Sequence, residues 1–160
     1  MTAVLSYKTQ QAIDEWLKKF PKNQKQSAVL FALKITQEEN KGWLTTALMD
    51  AVSAYLGISK IAVYEVASFY SLFDLKPVGK HKLCVCTNVA CLLSGSEEIV
   101  DHLKKRLNIS FNETTKDGRF TLKEVECLAA CGKAPVLQVG RQYYENLTVE
   151  KIDEILASLE

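Results

Sequence analysis

The chain has 160 residues, 48% of them hydrophobic, and its 20 basic and 19 acidic side chains give a net charge of +1. That length and apolar content suffice for a buried core, in one domain or in a compact domain with a helical appendage. The charges are well mixed, with no basic stripe to hold nucleic acid, and no apolar run reaches the ~18 residues of a membrane span.

The first residues, MTAVLSYKTQQAIDEW, lack a basic start followed by an apolar stretch and a cleavage site. Neither a secretory leader nor a mitochondrial transit peptide is expected, and the protein is read as cytoplasmic. In that reducing compartment the five cysteines are not expected to form structural disulfides. The Asn-x-Ser/Thr matches at Asn108, Asn112 and Asn146 then carry no weight.

Helical periodicity dominates the first half. A helix is expected over residues 9–20, ended by Pro21. Another spans 24–39, where SAVLFALKI is apolar nearly all round and reads as buried. The QEEN at its end (Gln37 to Asn40) reads as a solvated terminus. A third helix over 45–56 repeats Ala47, Leu48, Ala51, Val52, Tyr55 and Leu56 at helical spacing, with Thr45 as cap and Gly57 as stop. A fourth, over 59–73, carries Val63, Val66, Ala67 and Tyr70 on one stripe. Short connections make these a small antiparallel bundle, residues 1–76.

DLKPVGK reads as a linker, and the period then changes. KLCVC is a short strand over 82–86. A helix over 94–107 starts with a capping box of Ser94 and Glu97, buries Ile99, Leu103 and Leu107, and places Lys104, Lys105 and Arg106 at its negative end. KDGRF is a turn at Asp117-Gly118. FTLKEVE, PVLQV and QYYE follow as strands, the last two a hairpin around Gly140-Arg141. A helix over 148–159, capped by Thr148, closes the chain. The order β-α-β-β-β-α describes a sheet covered by helices, which a thioredoxin-like α/β sandwich over 77–160 fits. The fold class is therefore α+β, a helical bundle followed by a thioredoxin-like domain.

Four cysteines form two pairs: C-x4-C at Cys86 and Cys91, and C-x3-C at Cys127 and Cys131. Each pair begins at the end of an expected strand, where a loop can curl back with the second ligand. The intervening residues, Thr87 to Ala90 and Leu128 to Ala130, are small or apolar. They exclude water and let backbone N–H groups approach sulfur. Four thiolates suit a tetrahedral zinc or an iron–sulfur cluster, and spacing alone leaves both open. No C-x2-C run is present, which argues against a plant-type ferredoxin, a zinc ribbon and a thioredoxin-like redox enzyme. Cys84, two residues before Cys86, reads as a buried small hydrophobe. His81 and His102 read as structural or solvated, not as Rieske ligands. There is no G-x-G-x-x-G, no P-loop and no Ser/His/Asp set. No catalytic residues are assigned, and a redox role would be relay of electrons for a partner.

The stretch QEENKGWLTTALMDAVSAYLGISKIAVYEVASFYSLFDLKPVGKH, the C-x4-C run and TTKDGRFTLKEVECLAACGKAPV together resemble the E-type subunits of NADH-quinone oxidoreductase, the small [2Fe-2S] subunits of respiratory complex I. The likeness covers roughly residues 24–150. It implies a thioredoxin-like domain in which Cys86, Cys91, Cys127 and Cys131 ligate one [2Fe-2S] cluster. It also implies an oxidoreductase (translocase) subunit with no complete active site of its own. The partners implied are a larger flavin subunit, which alone carries FMN and NADH, and other subunits of the peripheral arm. The expected location is that arm on the cytoplasmic side, without membrane insertion. The same module serves NAD-linked formate dehydrogenases and NAD-reducing hydrogenases. A freestanding chain ending soon after the module favours complex I, and a zinc-stabilised interaction module is the non-redox alternative. One departure stands out: the family usually reads C-L-G-x-C, and here Ala129 replaces the glycine. If that position needs positive φ, the loop is strained or rearranged.

Overall fold

The computed structural model describes residues 4–159, and the chain divides after Pro77 into two compact units. The first is helical. Helix α1, Tyr7–Leu17, starts two residues before its expected position because the Ser6 hydroxyl accepts the Thr9 N–H at 3.2 Å. It ends three residues early, where the chain tightens into i→i−3 bonds (Lys19 to Trp16, Phe20 to Leu17) ahead of Pro21. The expected helix over 24–39 is a 3₁₀ turn, Lys25–Ala28, running into α2, Val29–Glu39. It buries Val29, Ala32, Leu33, Thr36 and Gln37 but leaves Leu30 exposed, so it is buried on one face rather than all round. Helix α3, Thr46–Leu56, matches the expected helix: the Thr45 hydroxyl accepts the Leu48 N–H at 3.1 Å, and Gly57 closes it at φ +67°.

Helix α4, Lys60–Phe69, stops four residues short of expectation. The cause lies on α2. The buried Gln37 donates from Nε2 to the Leu72 carbonyl at 3.0 Å and accepts the Asp74 N–H on Oε1 at 2.7 Å. The Asp74 carbonyl in turn accepts the Leu44 N–H at 2.7 Å. This clamp pulls residues 72–74 out of helical geometry and drops Phe73 into the core. Gln37 is therefore buried rather than solvated, while Glu38 and Glu39 of QEEN are exposed as expected. The Glu39 carboxylate is held below the ordinary carboxylate range by hydrogen bonds from Ser6 and Thr9. Ile13, Val29, Leu33, Leu44, Val52, Leu56 and Val63 form the centre of this core.

The second unit is a four-stranded mixed sheet in the order β2-β1-β3-β4. Strand β1, His81–Cys86, pairs in parallel with β2, Phe120–Val125, and antiparallel with β3, Leu137–Val139. Strand β4, Gln142–Tyr144, completes the hairpin around Gly140-Arg141. Between β1 and β2 the chain forms a short helix that periodicity does not reveal, α5, Val89–Leu93, and then α6, Ser96–Leu107. Ser94 ends α5, its hydroxyl donating to the Ala90 carbonyl at 2.8 Å. Gly95, at φ +90°, opens α6 with no side-chain cap, so the expected Ser94/Glu97 box does not form. Helix α7, Val149–Ser158, is capped by Thr148 as expected. Leu83, Val85, Leu103, Leu122, Leu137 and Ile152 form this unit's core. Among the described residues, seven α-helices with a mixed sheet make the fold α+β.

Candidate metal centre

The parallel pairing of β1 with β2 fixes the site. The register runs from His81 against Phe120 to Cys86 against Val125, so both strands end at the same edge of the sheet. The loop carrying Cys91 and the loop carrying Cys127 and Cys131 therefore leave the sheet side by side. Backbone bonds hold them: the Cys86 N–H donates to the Val136 carbonyl at 3.1 Å, and the Thr87 N–H to that of Val125 at 3.3 Å. The Cys86 Sγ lies 3.8 Å from the Glu126 carbonyl oxygen, which brings the second loop over the first.

Asn88 organises the first loop. Its Oδ1 accepts the Val89 N–H at 2.9 Å, and its carbonyl accepts the Leu92 N–H at 2.8 Å. The short helix this starts turns Cys91 inward and leaves Val89, Leu92 and Leu93 exposed. Cys86 (3% exposed) and Cys91 (2%) form an apolar pocket with Leu128 and Val136, against which Val125, Ala130 and Ala134 pack. Cys127 and Cys131 are exposed, Cys131 opening a 3₁₀ turn, Cys131–Lys133. The Cys127 Sγ accepts the Ala129 N–H at 3.3 Å, and Ala129 sits at φ +57°. The glycine-favouring conformation is thus present in this loop, occupied by alanine.

Burial, then the hydrogen bond and charge of neighbouring Cys86, push the Cys91 thiol up to about 11, with Cys131 adding to the shift. A backbone hydrogen bond from Val136 pulls the other way. The buried Cys91 thiol therefore resists ionising alone; bound to a metal centre, it is a thiolate. Among the described residues no three His, Cys, Asp or Glu side chains gather as the coordination sphere of one ion. Cys86 and Cys91 are in contact as one pair; Cys131 is near enough to act on Cys91, and Cys127 follows Glu126, whose carbonyl oxygen meets the Cys86 Sγ. A dinuclear cluster, which takes two thiolates on each iron, fits this donor set and its apolar wall.

Cys84 is half-buried, not fully buried, and on β1 it lies between Lys123 and Gln138 of the neighbouring strands. His102 pairs with Asp153 at 3.0 Å, and His81 packs on the Phe120 ring at the far end of β1, so neither approaches the thiols. Two residues that shape the site, Asn88 and Val136, escape a reading of the sequence. The Asn88 side chain before V-A-C-L-L is a legible cap signal; Val136 offers none, since its role depends on the β1–β3 pairing.

Residues 13–160 match the family model of the thioredoxin-like [2Fe-2S] ferredoxins. The E-type subunit of NADH-quinone oxidoreductase from Rickettsia conorii is 44% identical over 92% of this chain and 88% of its own length. That of Rickettsia typhi is 45% identical over 88% and 82%, and the E-type subunit numbered 2 of Rhizobium meliloti is 46% identical over 84% and 79%. An NAD⁺-reducing [NiFe]-hydrogenase crystal structure superposes with a TM-score of 0.69 at 18% identity, over 79% of this chain. This chain spans 22% of that hydrogenase chain, and the likeness is one of fold.

Proposed function

Because the chain belongs to the thioredoxin-like [2Fe-2S] ferredoxins and, within them, to the E-type subunits of NADH-quinone oxidoreductase, we propose that it is the electron-relay subunit of an NADH:quinone oxidoreductase. In this reading Cys86, Cys91, Cys127 and Cys131 hold one [2Fe-2S] cluster that takes electrons from the FMN of a partner flavin subunit. Such a cluster passes electrons one at a time, whereas NADH delivers them to a flavin in pairs.

The observation that carries the reading is the parallel end of β1 and β2, which sends both cysteine loops off one sheet edge. The buried pair, Cys86 and Cys91, and the apolar Leu128 and Val136 keep water from the inner side. The exposed Cys127 and Cys131 give a face where another protein can approach. No described helix is long and apolar enough to cross a membrane, and the proposed place of the chain is the cytoplasmic peripheral arm of the complex. The hydrogenase likeness keeps a diaphorase role in an NAD-linked hydrogenase or formate dehydrogenase as the second reading; the names of the sequence relatives favour the quinone enzyme.

The test is direct. The purified chain should be red-brown, carry iron and acid-labile sulfide in equal amounts, and show an EPR signal on reduction. Alone it should neither oxidise nor tightly bind NADH. Co-expressed with its flavin subunit, it should co-purify, and the pair should reduce artificial acceptors from NADH. A colourless protein carrying one zinc, the mark of a non-redox interaction module, overturns the reading.

A further inference from the structure

Lys41, Asn108, Asn112 and Asn146 also adopt positive φ; asparagine tolerates that region, and Lys41 lies in the other unit, which holds no cysteine. Ala129 does so inside the cysteine loop, where its β-carbon opposes it. Both flanks of Ala129 are fixed. Leu128 is anchored in the apolar pocket, and the Ala130 carbonyl accepts the Lys133 N–H at 3.0 Å. Between them the Ala129 N–H points at the Cys127 Sγ, 3.3 Å away.

We propose that Ala129 is a positioning residue whose left-handed backbone aims a fixed hydrogen-bond donor at the Cys127 sulfur, and that this donor sets how readily the site accepts an electron. The inference rests on the [2Fe-2S] reading above. A donor to a ligand sulfur stabilises added negative charge, so it raises the reduction potential. Ala129 itself is exposed, so changing its side chain removes no packing and acts through the backbone.

The experiment is a redox titration of the full-length cluster-bearing chain, followed by visible absorption and EPR, in three variants graded by their tolerance of positive φ. Ala129→Gly and Ala129→Asn keep the conformation easily; Ala129→Val resists it. The expected result is that the Gly and Asn forms stay within about threefold of the wild-type reduction equilibrium constant. The Val form should lose about tenfold, equal to about 59 mV toward more negative potential for one electron. Loss of the cluster in the Val form, with the Gly and Asn forms keeping theirs, overturns the proposal, since the position then holds the ligand loop rather than setting the potential. A Val form with the wild-type midpoint overturns it, as does an Asn form that shifts or bleaches like Val. If wild-type protein gives no reduced-state EPR signal, the [2Fe-2S] reading itself falls; if wild type gives the signal and all midpoints coincide, only the role of Ala129 falls.

Discussion

The helical unit and the sheet unit solve the problem of stability differently. In the first, one core of Ile13, Val29, Leu33, Leu44, Val52, Leu56 and Val63 collects the stripes of four helices. In the second, a comparable core of Leu83, Leu103, Leu122, Leu137 and Ile152 is joined by a separate cluster of Cys86, Cys91, Leu128 and Val136 at the sheet edge. Two of those four residues are thiols. Burial holds the helical unit and most of the sheet; the cysteine pocket has less apolar material and leans on backbone hydrogen bonds, which the proposed cluster would reinforce.

The sharpest way to break this contrast is to remove the thiols singly. Cys86→Ser, Cys91→Ser, Cys127→Ser and Cys131→Ser should each abolish or severely deplete the visible absorption, because neither loop holds a spare ligand. Cys84→Ser, outside the pocket, should keep it. A bleached Cys84→Ser beside one coloured variant among the other four would show that the ligand set is misassigned.

Next in size come the cores. Leu33→Ala and Leu122→Ala remove fully buried side chains from the first and second core respectively. Each should cost about 2–5 kcal/mol of unfolding free energy. Hydrogen exchange should assign the loss to α2 and its neighbours in one case and to β1 and β2 in the other. Equal loss of protection in both units from either change would mean that the two cores unfold as one.

A smaller contrast concerns helix starts. Thr45→Ala removes a formed cap and should cost about 1 kcal/mol in denaturant unfolding. Ser94→Ala, at a position that resembles a cap in sequence, should stay within about 0.5 kcal/mol, because the hydroxyl donates to a carbonyl of α5 instead. A reversal of that order would restore the capping box.

That pair of residues also shows what a sequence makes legible. Thr45 and Gly57 act on the helix beside them, so residue type and position suffice. The strand–helix order of the second half and the spacing of its cysteines are readable for the same reason. Ser94 misleads because Cys91 needs a short helix of its own, and that helix ends where periodicity alone would begin the next. Gln37 misleads because its partners, Leu72 and Asp74, lie thirty-five and thirty-seven residues away. The burial of Cys86 and Cys91 against the exposure of Cys127 and Cys131 depends on the β1–β2 register and on Val136, neither of which leaves a local trace. Ala129 lies between these cases: the substitution is visible in the sequence, but its positive φ comes only with the folded loop.

The last contrast is one of pH and lies within the helical unit. Tyr55, on α3, donates its hydroxyl to Asp14 Oδ1 at 2.8 Å, and burial, with the Asp14 carboxylate second, raises it to about 12 from an ordinary 10.0. The folded chain therefore holds the phenolic proton more tightly than the unfolded chain. Its contribution is complete below pH 10, the unfolded value, and is lost as pH rises toward the folded value near 12. Tyr55→Phe cannot ionise. At neutral pH it should cost only the net worth of one hydrogen bond, about 1 kcal/mol. Between pH 10 and 12 its stability should fall less steeply than that of the wild type, and hydrogen exchange should locate the difference in α1 and α3. Urea unfolding of both forms across that window checks the sign: parallel curves would mean that the Tyr55–Asp14 contact does not hold the proton in solution.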